Sequence, residues 1–303
     1  MDITTERFRL MKRHALTISR GTITGSENVL VRITHPDANG RPIEGWGEMA
    51  PSDVTDDTAD SAVAAAASYA EVLAALAPWD LQRVEGTLGP VPKQGSAIRA
   101  ALDLACHDWI GKRAGLPLWR LWGLDVGAVP STSLTVGINP PDVVREVTAE
   151  ILTRTGARAL KVKLGSPEGI EHDRAIFVAA QETAAAFTTD SVGPIAWRVD
   201  ANGGWTLETA RTMIAWLAAR RVEFVEQPLA QGDEASLPGL RPSPVPIFVD
   251  ESVRLAADIP ALAACVDGIN LKLMKCGGLR EGLRMVHTAR AHGLSVMIGC
   301  MGE

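Results

Sequence analysis

The sequence has little of what several large protein classes require. Its formal net charge is −6 over 303 residues, which argues against the clustered basic surface that nucleic acid binding needs. No apolar run approaches the roughly 18 residues of a membrane span. The first residues, MDITTERFRLMKRH, lack the apolar centre of a secretory signal. We therefore expect a cytoplasmic protein that binds neither nucleic acid nor membrane.

Cysteine is also scarce, and the spacing of the cysteines matches no CxxC or metal-finger site. The chain has four cysteines, and we expect reduced, structural thiols. They are Cys106, Cys265, Cys276 and Cys300.

The first 128 residues have the pattern of a small α+β domain. Three strand-like stretches are separated by turns with Gly, Asn and Pro, which predicts antiparallel strands. Two amphipathic stretches follow and predict helices. The strands are FRLMKRHALTIS, NVLVRITH and PIEGWGEMAP, and the helices are DTADSAVAAAASYAEVLAALA and GSAIRAALDLACHDWIGKRAG.

Residues 129–303 alternate apolar strands with helices, which is typical of a parallel sheet. No GxGxxG follows the first strand, so a (β/α) barrel fits better than a doubly wound sheet. We expect an α/β fold, a (β/α) barrel that is truncated after strand seven or completed in an unusual way, behind the small α+β domain. The strand-like runs are STSLTVGI, ALKVKL, IAWRVDA, FVEQP, PIFVDES, GINLKL and SVMIGC.

Three acids follow neighbouring predicted strands. Asp200, Glu226 and Asp250 are 26 and 24 residues apart, close to one βα unit each, so they fall at one height of the barrel mouth, where barrel enzymes place their chemistry. Three converging carboxylates repel one another unless a cation lies among them. Oxygen ligands favour Mg²⁺, with Mn²⁺ second. None of the six histidines lies at a strand end, so zinc is not expected.

Lysines flank these acids. Lys161 and Lys163 share one face of their strand, because side chains alternate, and a central parallel strand is not solvated on that face. Beside a metal such a lysine has a lowered pKa and acts as a base. On strand six the alternation favours Lys272 as a second base. Lys275 falls on the opposite parity, and we expect it to contact a metal ligand or to be structural. Strands two and six lie opposite each other in a barrel, which predicts a two-base 1,1-proton transfer through a metal-stabilised enediolate: racemisation or epimerisation.

These motifs resemble a known family. KVK, DAN, VEQP, DES and NLKLMKCGG closely resemble the enolase superfamily, in its muconate lactonizing enzyme subgroup, and most of all the dipeptide epimerases of the L-Ala-D/L-Glu type. LTISRGTITGSENVLVRI and GWGEMAP are similar to the capping domain of that family. The resemblance implies a (β/α)7β-type modified TIM barrel behind an N-terminal capping domain.

The resemblance implies an Mg²⁺-dependent epimerase of dipeptides, a small-molecule enzyme that we expect to be a homo-oligomer. It implies acid–base roles for Lys163 and Lys272. It also implies metal ligation by the three acids and substrate contacts from four residues: Lys161, Arg20, Thr135 and Asn202. Arg20 would meet an acidic substrate side chain. The family pattern runs on beyond Glu303 to an Asp-x-Asp pair on strand eight, which the sequence does not contain.

Other functions stay open on these residues. N-acylamino acid racemase, o-succinylbenzoate synthase and muconate cycloisomerase activities use the same acids and lysines. A barrel cut short would expose strand edges and apolar core, so an inactive fragment is a further alternative. A Schiff-base aldolase would need one buried lysine and no carboxylate triad.

Overall fold

The N-terminal part of the chain is an antiparallel sheet covered by helices. The computed structural model describes residues 1–52, 54–188 and 193–301. The sheet has the order β1-β2-β3, which confirms the predicted antiparallel strands, and the two predicted helices are α1 and α3. The elements are β1 (Asp2–Ile18), β2 (Gly21–Pro36), β3 (Pro42–Met49), α1 (Ala59–Leu73), α2 (Leu81–Leu88), α3 (Ser96–Ala114) and α4 (Leu118–Leu121).

Helix α3 packs directly on β3, and glycines make this close approach possible. A Cβ atom built on Gly47 would overlap the main-chain oxygen of Ala101, and one on Gly45 would overlap that of Ala105. Both obstacles are backbone atoms of α3, which cannot rotate away as a side chain could. The glycines of GWGEM therefore set the distance between the sheet and its covering helix.

Gly47→Ala is expected to destabilise the protein by about 3 kcal/mol, at the upper end of the range for overpacking, because the obstacle is backbone. Urea unfolding followed by circular dichroism would measure it. Gly86 is the matched control: it is exposed in α2 and has open space where a Cβ would lie. Gly86→Ala is expected to stabilise the helix by about 0.5–1 kcal/mol, and equal effects of the two changes would contradict this account.

The second part of the chain is a parallel sheet whose strand order follows the chain. In the part of the chain that the structure describes, its seven strands lie in the order β4 to β10, and all neighbours are parallel. A doubly wound sheet would reverse order at a switch point, so this topology is that of a barrel wall. The strands are β4 (Ser133–Val136), β5 (Ala159–Lys163), β6 (Ala196–Asp200), β7 (Val222–Glu226), β8 (Ile247–Val249), β9 (Gly268–Leu271) and β10 (Ser295–Ile298).

Helices connect these strands and cover one face of the sheet. The connections on either side of β8 are 3₁₀ segments at 234–240 and 256–258 and one short helix, as the weaker sequence pattern there predicts. The expected truncation after the seventh strand and the boundary at residue 128 stay predictions, and Glu303 lies outside the described residues. The helices are α5 (Pro141–Thr155), α6 (Ile170–Ala185), α7 (Leu207–Ala218), α8 (Ile259–Leu262), α9 (Leu273–Cys276) and α10 (Leu279–Ala291).

The alternation of strand β5 divides its side chains between two environments. Leu160 and Val162 are fully buried in the apolar layer between sheet and helices. Lys161 and Lys163 therefore point to the opposite face of the sheet. Across the described ranges, with their gaps at 53, 189–192 and 302–303, no helix has the length and apolar character needed to cross a membrane.

Candidate active site

Three buried carboxylates converge at the carboxyl ends of β6, β7 and β8. Asp200 and Glu226 are the last residues of their strands and face each other in the sheet register, and Asp250 directly follows β8. One oxygen from each lies within 4.8 Å of the others. Their side chains are at most 1% exposed. The structure thus brings together the three acids whose spacing predicted a common height.

Lysines approach this acid cluster (Asp200, Glu226, Asp250) from both sides. From β5, Lys163 Nζ donates to Asp200 Oδ2 at 2.5 Å and Lys161 Nζ to Glu226 Oε2 at 2.9 Å. From the end of β9, Lys272 Nζ donates to Asp250 Oδ2 at 2.6 Å. The acids lie on the strands between β5 and β9, so the two predicted bases stand on opposite sides of them.

Charge pairing sets the direction of the pKa shifts of Asp250 and Lys272. Burial by itself would raise the pKa of Asp250, but the ammonium groups of Lys272 and Lys275 hold that pKa well below its usual range. Burial would lower the pKa of Lys272, yet the neighbouring carboxylates, Asp250 and Glu226 foremost, together outweigh it and raise that pKa. Asp250 is therefore ionised at neutral pH. The lowered lysine pKa that we expect beside a cation stays a prediction.

Lys275 lies closer to the acids than strand alternation suggests. Strand β9 ends at Leu271 and α9 follows, so alternation no longer applies, and residues three apart share one side of a helical turn. Lys275 is 2% exposed. Its Nζ contacts Asp250 Oδ1 at 2.5 Å and the Val253 oxygen at 3.0 Å. The opposite strand parity does not keep Lys275 from the acids, and its contact with Asp250 fits the supporting role expected for it.

Two amides beside the acids were not predicted. Asn270 Nδ2 donates to Glu226 Oε1 at 2.6 Å, and Gln227 Oε1 accepts the main-chain N–H of Asp250 at 2.8 Å. Asn270 lies two residues before Lys272 on the same strand face, and that parity was a usable signal. Gln227 has a φ of 39°, a backbone conformation that strand periodicity does not reveal.

Besides Lys161, the predicted substrate-contacting residues lie on β4, after β6 and in the turn between β1 and β2. Thr135 lies on β4 opposite Lys161 in the register. Asn202 follows β6, and its main-chain N–H donates to Asp200 Oδ1 at 2.8 Å. Arg20 lies in the turn between β1 and β2, where its guanidinium is 2.8 Å from Glu251 Oε1. The turn and the barrel loops enclose a cavity of about 570 Å³, which is bordered by Arg20, Asn202 and Glu251.

The loop after β5 forms part of that cavity wall and is held by one carboxylate. Asp173 is buried and accepts the main-chain N–H groups of Gly165 at 3.0 Å and Ser166 at 2.9 Å. It also accepts Trp205 Nε1–H at 2.9 Å. The first two bonds fix the loop between the lysine strand and α6, and the third ties that loop to the segment after β6.

Asp173→Ala is expected to reduce the free energy of unfolding by about 3 kcal/mol, because it leaves three buried donors without an acceptor. Urea denaturation would measure the loss. Glu171→Ala is the matched control in the same helical turn: Glu171 pairs only with Arg174 and is 80% exposed, so its removal should change stability by less than about 0.5 kcal/mol. Equal losses in the two variants would contradict the role of Asp173.

The residues of the acid cluster fit a hard divalent cation. The donors are carboxylate oxygens, which Mg²⁺ and Mn²⁺ prefer. Three further buried oxygens have no hydrogen-bond donor among the described residues: Asn202 Oδ1, Glu251 Oε2 and Asn270 Oδ1. Buried acceptors normally have partners, so these orphaned atoms beside the acids are suited to a cation or its water shell.

Comparison with known proteins agrees with this architecture. The family described as Enolase C-terminal domain-like matches residues 143–303, and the mandelate racemase / muconate lactonizing enzyme N-terminal domain matches residues 2–123. The chain belongs to the enolase superfamily. The resemblance seen in the sequence motifs is thereby confirmed.

Similar proteins within the enolase superfamily include dipeptide epimerases. A hydrophobic dipeptide epimerase of Roseobacter litoralis is 50% identical over 297 residues, 97% of this chain and 81% of that protein. An L-Ala-D/L-Glu epimerase of Bacteroides thetaiotaomicron is 33% identical over all of this chain and 74% of its own length. A dipeptide epimerase from Enterococcus faecalis V583, solved with Mg and L-Leu-L-Tyr, superposes with a TM-score of 0.87 at 31% identity, over 99% of this chain and 82% of that one.

Proposed function

We propose that the protein is a Mg²⁺-dependent dipeptide epimerase that inverts the α-carbon beside the free carboxylate of its substrate. The observation that carries this proposal is the placement of Lys163 and Lys272 on opposite sides of one buried acid cluster. Inverting a carbon centre requires proton removal from one face and proton delivery to the other. The dipeptide epimerases among the relatives support the substrate class.

Each lysine has a defined part in the proposed reaction. One Nζ, in its neutral form, takes the α-proton from the face that it meets. The ammonium of the other lysine gives a proton to the opposite face, so the protons balance and the two lysines exchange protonation states. Running the reaction in the opposite direction uses the same pair with the roles reversed. Lys161, between Asp200 and Glu226, supplies positive charge where the substrate carboxylate would lie.

Asp200, Glu226 and Asp250 would hold the divalent cation. When bound, it supplies fixed positive charge that stabilises the additional negative charge of the substrate carboxylate after the α-proton is lost. Asn202 and Asn270, which donate to Asp200 and Glu226, orient these carboxylates. Mn²⁺ is the second cation that this oxygen donor set would accept.

A substrate panel tests this proposal. The purified protein with Mg²⁺ is incubated with an L,L-dipeptide, the matching N-acyl amino acid and a succinylbenzoate precursor, and the products are separated on a chiral column. We expect inversion of the dipeptide only, and its loss in EDTA with recovery on Mg²⁺ addition. Inversion of N-acyl amino acids alone would favour a racemase on the same barrel. Turnover that survives EDTA and stops with borohydride would favour a Schiff-base lysine.

A further inference from the structure

The contact between Arg20 and Glu251 joins the N-terminal hairpin to the barrel at the cavity. Arg20 Nη2 lies 2.8 Å from Glu251 Oε1, and Nη1 donates to the main-chain oxygen of Asn202 at 3.1 Å. The side chain of Glu251 is 6% exposed. Both nitrogen ends of the guanidinium are therefore engaged by barrel acceptors, so Arg20 is not a free cation waiting for an acidic ligand.

The barrel side of this contact leads to the acid cluster. Asn202 Nδ2 donates to Asp200 Oδ2 at 3.2 Å and lies 3.4 Å from Glu251 Oε1. Ser19 Oγ donates to the same Asn202 oxygen that Arg20 contacts, at 3.0 Å. The hairpin turn thus fixes Asn202, and Asn202 in turn fixes a candidate metal ligand. Partners of this kind orient a ligand without touching the metal.

The charges around the cavity are balanced in pairs. Among its described lining residues, the charged ones are Arg20, Lys93 and Glu251, and Lys93 is 3.0 Å from Asp56. An acidic substrate side chain that met Arg20 would have to displace Glu251 and leave a buried carboxylate beside another negative charge, which is costly. An uncharged side chain disrupts neither pair.

We propose that Arg20 is a positioning residue that fastens the hairpin to Glu251 and Asn202, and that the cavity takes an uncharged side chain on the epimerised residue. The second half of this inference rests on the proposed epimerase function and deepens it. The first half does not, because it concerns how firmly the acid cluster is held. The positioning role replaces the expectation that Arg20 meets an acidic substrate side chain.

Titration of Mn²⁺ alone, followed by electron paramagnetic resonance, tests the positioning role without turnover. Arg20→Met is expected to raise the Kd for Mn²⁺ about tenfold. This is the lower end of the effect of removing a partner of a metal ligand. We expect the lower end because the Arg20 side chain is 44% exposed. Arg20→Lys keeps the charge but meets only one of the two acceptors, so partial recovery is expected. Arg32→Met is the matched control on β2, where Arg32 pairs with exposed Glu44, and its Kd should not change. Equal Kd values for the Arg20→Met variant and the wild type would overturn the positioning role.

A pair of isosteric dipeptides tests the side-chain class. For the wild type, kcat/KM for L-Ala-L-Gln should exceed that for L-Ala-L-Glu by at least about tenfold, because an unpaired like charge beside Glu251 is repelled. In the Arg20→Met variant both values should fall by a similar factor. In Glu251→Gln, which releases Arg20, the relative use of L-Ala-L-Glu should rise. A selective loss of L-Ala-L-Glu turnover in Arg20→Met would overturn the inference and restore Arg20 as an acid receptor. If the wild type inverts neither dipeptide, the proposed function fails, and the Mn²⁺ titration still decides the positioning role.

Discussion

Replacing Lys163 with alanine is expected to abolish epimerisation, lowering kcat by at least about 10³-fold, since general acid–base catalysis contributes roughly 10²–10⁴-fold. The reason is geometric: Lys163 is the lysine that reaches the acid cluster through Asp200, and Lys272 reaches it from the far side through Asp250. Lys272→Ala should cause a loss of the same size. Chiral chromatography of a dipeptide substrate would measure both.

The two variants should differ in the isotope exchange that they retain. With one lysine left, a proton can still leave and return on one face, so each variant should exchange the α-proton of one epimer at most, without inversion. Lys112→Ala is the control, because Lys112 lies in α3, pairs with Asp108 and is 45% exposed. Epimerisation in both directions by either active-site variant would exclude the two-base mechanism.

Replacing Asp250 with asparagine is expected to raise the Kd for Mn²⁺ at least about 100-fold. This exceeds the effect of removing a residue that only hydrogen-bonds to a metal ligand. Asp250 accepts hydrogen bonds from Lys272 and Lys275 and is 1% exposed. Its neutral amide would leave two ammonium groups beside a cation with one carboxylate fewer. Electron paramagnetic resonance of Mn²⁺ would measure the affinity, and circular dichroism would check that the variant folds.

Asp142→Asn provides the comparison for this loss. Asp142 is exposed in the first turn of α5, so the same change of charge there should leave the Mn²⁺ Kd unaltered. An unchanged Kd in Asp250→Asn would mean that Asp250 is not a ligand. Glu251, whose buried Oε2 has no donor among the described residues, would then be the first alternative.

The acid cluster was predictable because its residues obey the periodicity of the fold. Asp200, Glu226 and Asp250 each follow an apolar strand at an interval of about one βα unit, and parallel neighbours end at one edge of a sheet. Lys161 and Lys163 were predictable from the two-residue alternation of β5. Short-range patterns of this kind also located the antiparallel strands and the two long helices of the N-terminal part.

Features that depend on the end of an element or on distant pairing were not predictable. The contacts of Lys275 could not be read from strand alternation, because β9 stops at Leu271 and a helical turn changes the geometry. The partner of Arg20 could not be read from periodicity, since Glu251 is remote in the chain and the two meet only when the hairpin reaches the barrel. Asn270 follows the strand alternation, but the sequence does not show that its amide lies beside Glu226, so its role could not be predicted.

The most direct test of the two-base account is the isotope content of the first product. A dipeptide with an uncharged second residue and protium at its α-carbon is incubated with the protein and Mg²⁺ in D₂O, and mass spectrometry follows each epimer at low conversion. The account predicts that the newly formed epimer carries one deuterium from its first appearance, because the lysine that donates is not the one that received the substrate proton. A first-formed epimer that retains protium at the α-carbon would show that one group carries the proton across, and would contradict the assignment of Lys163 and Lys272 as opposing bases.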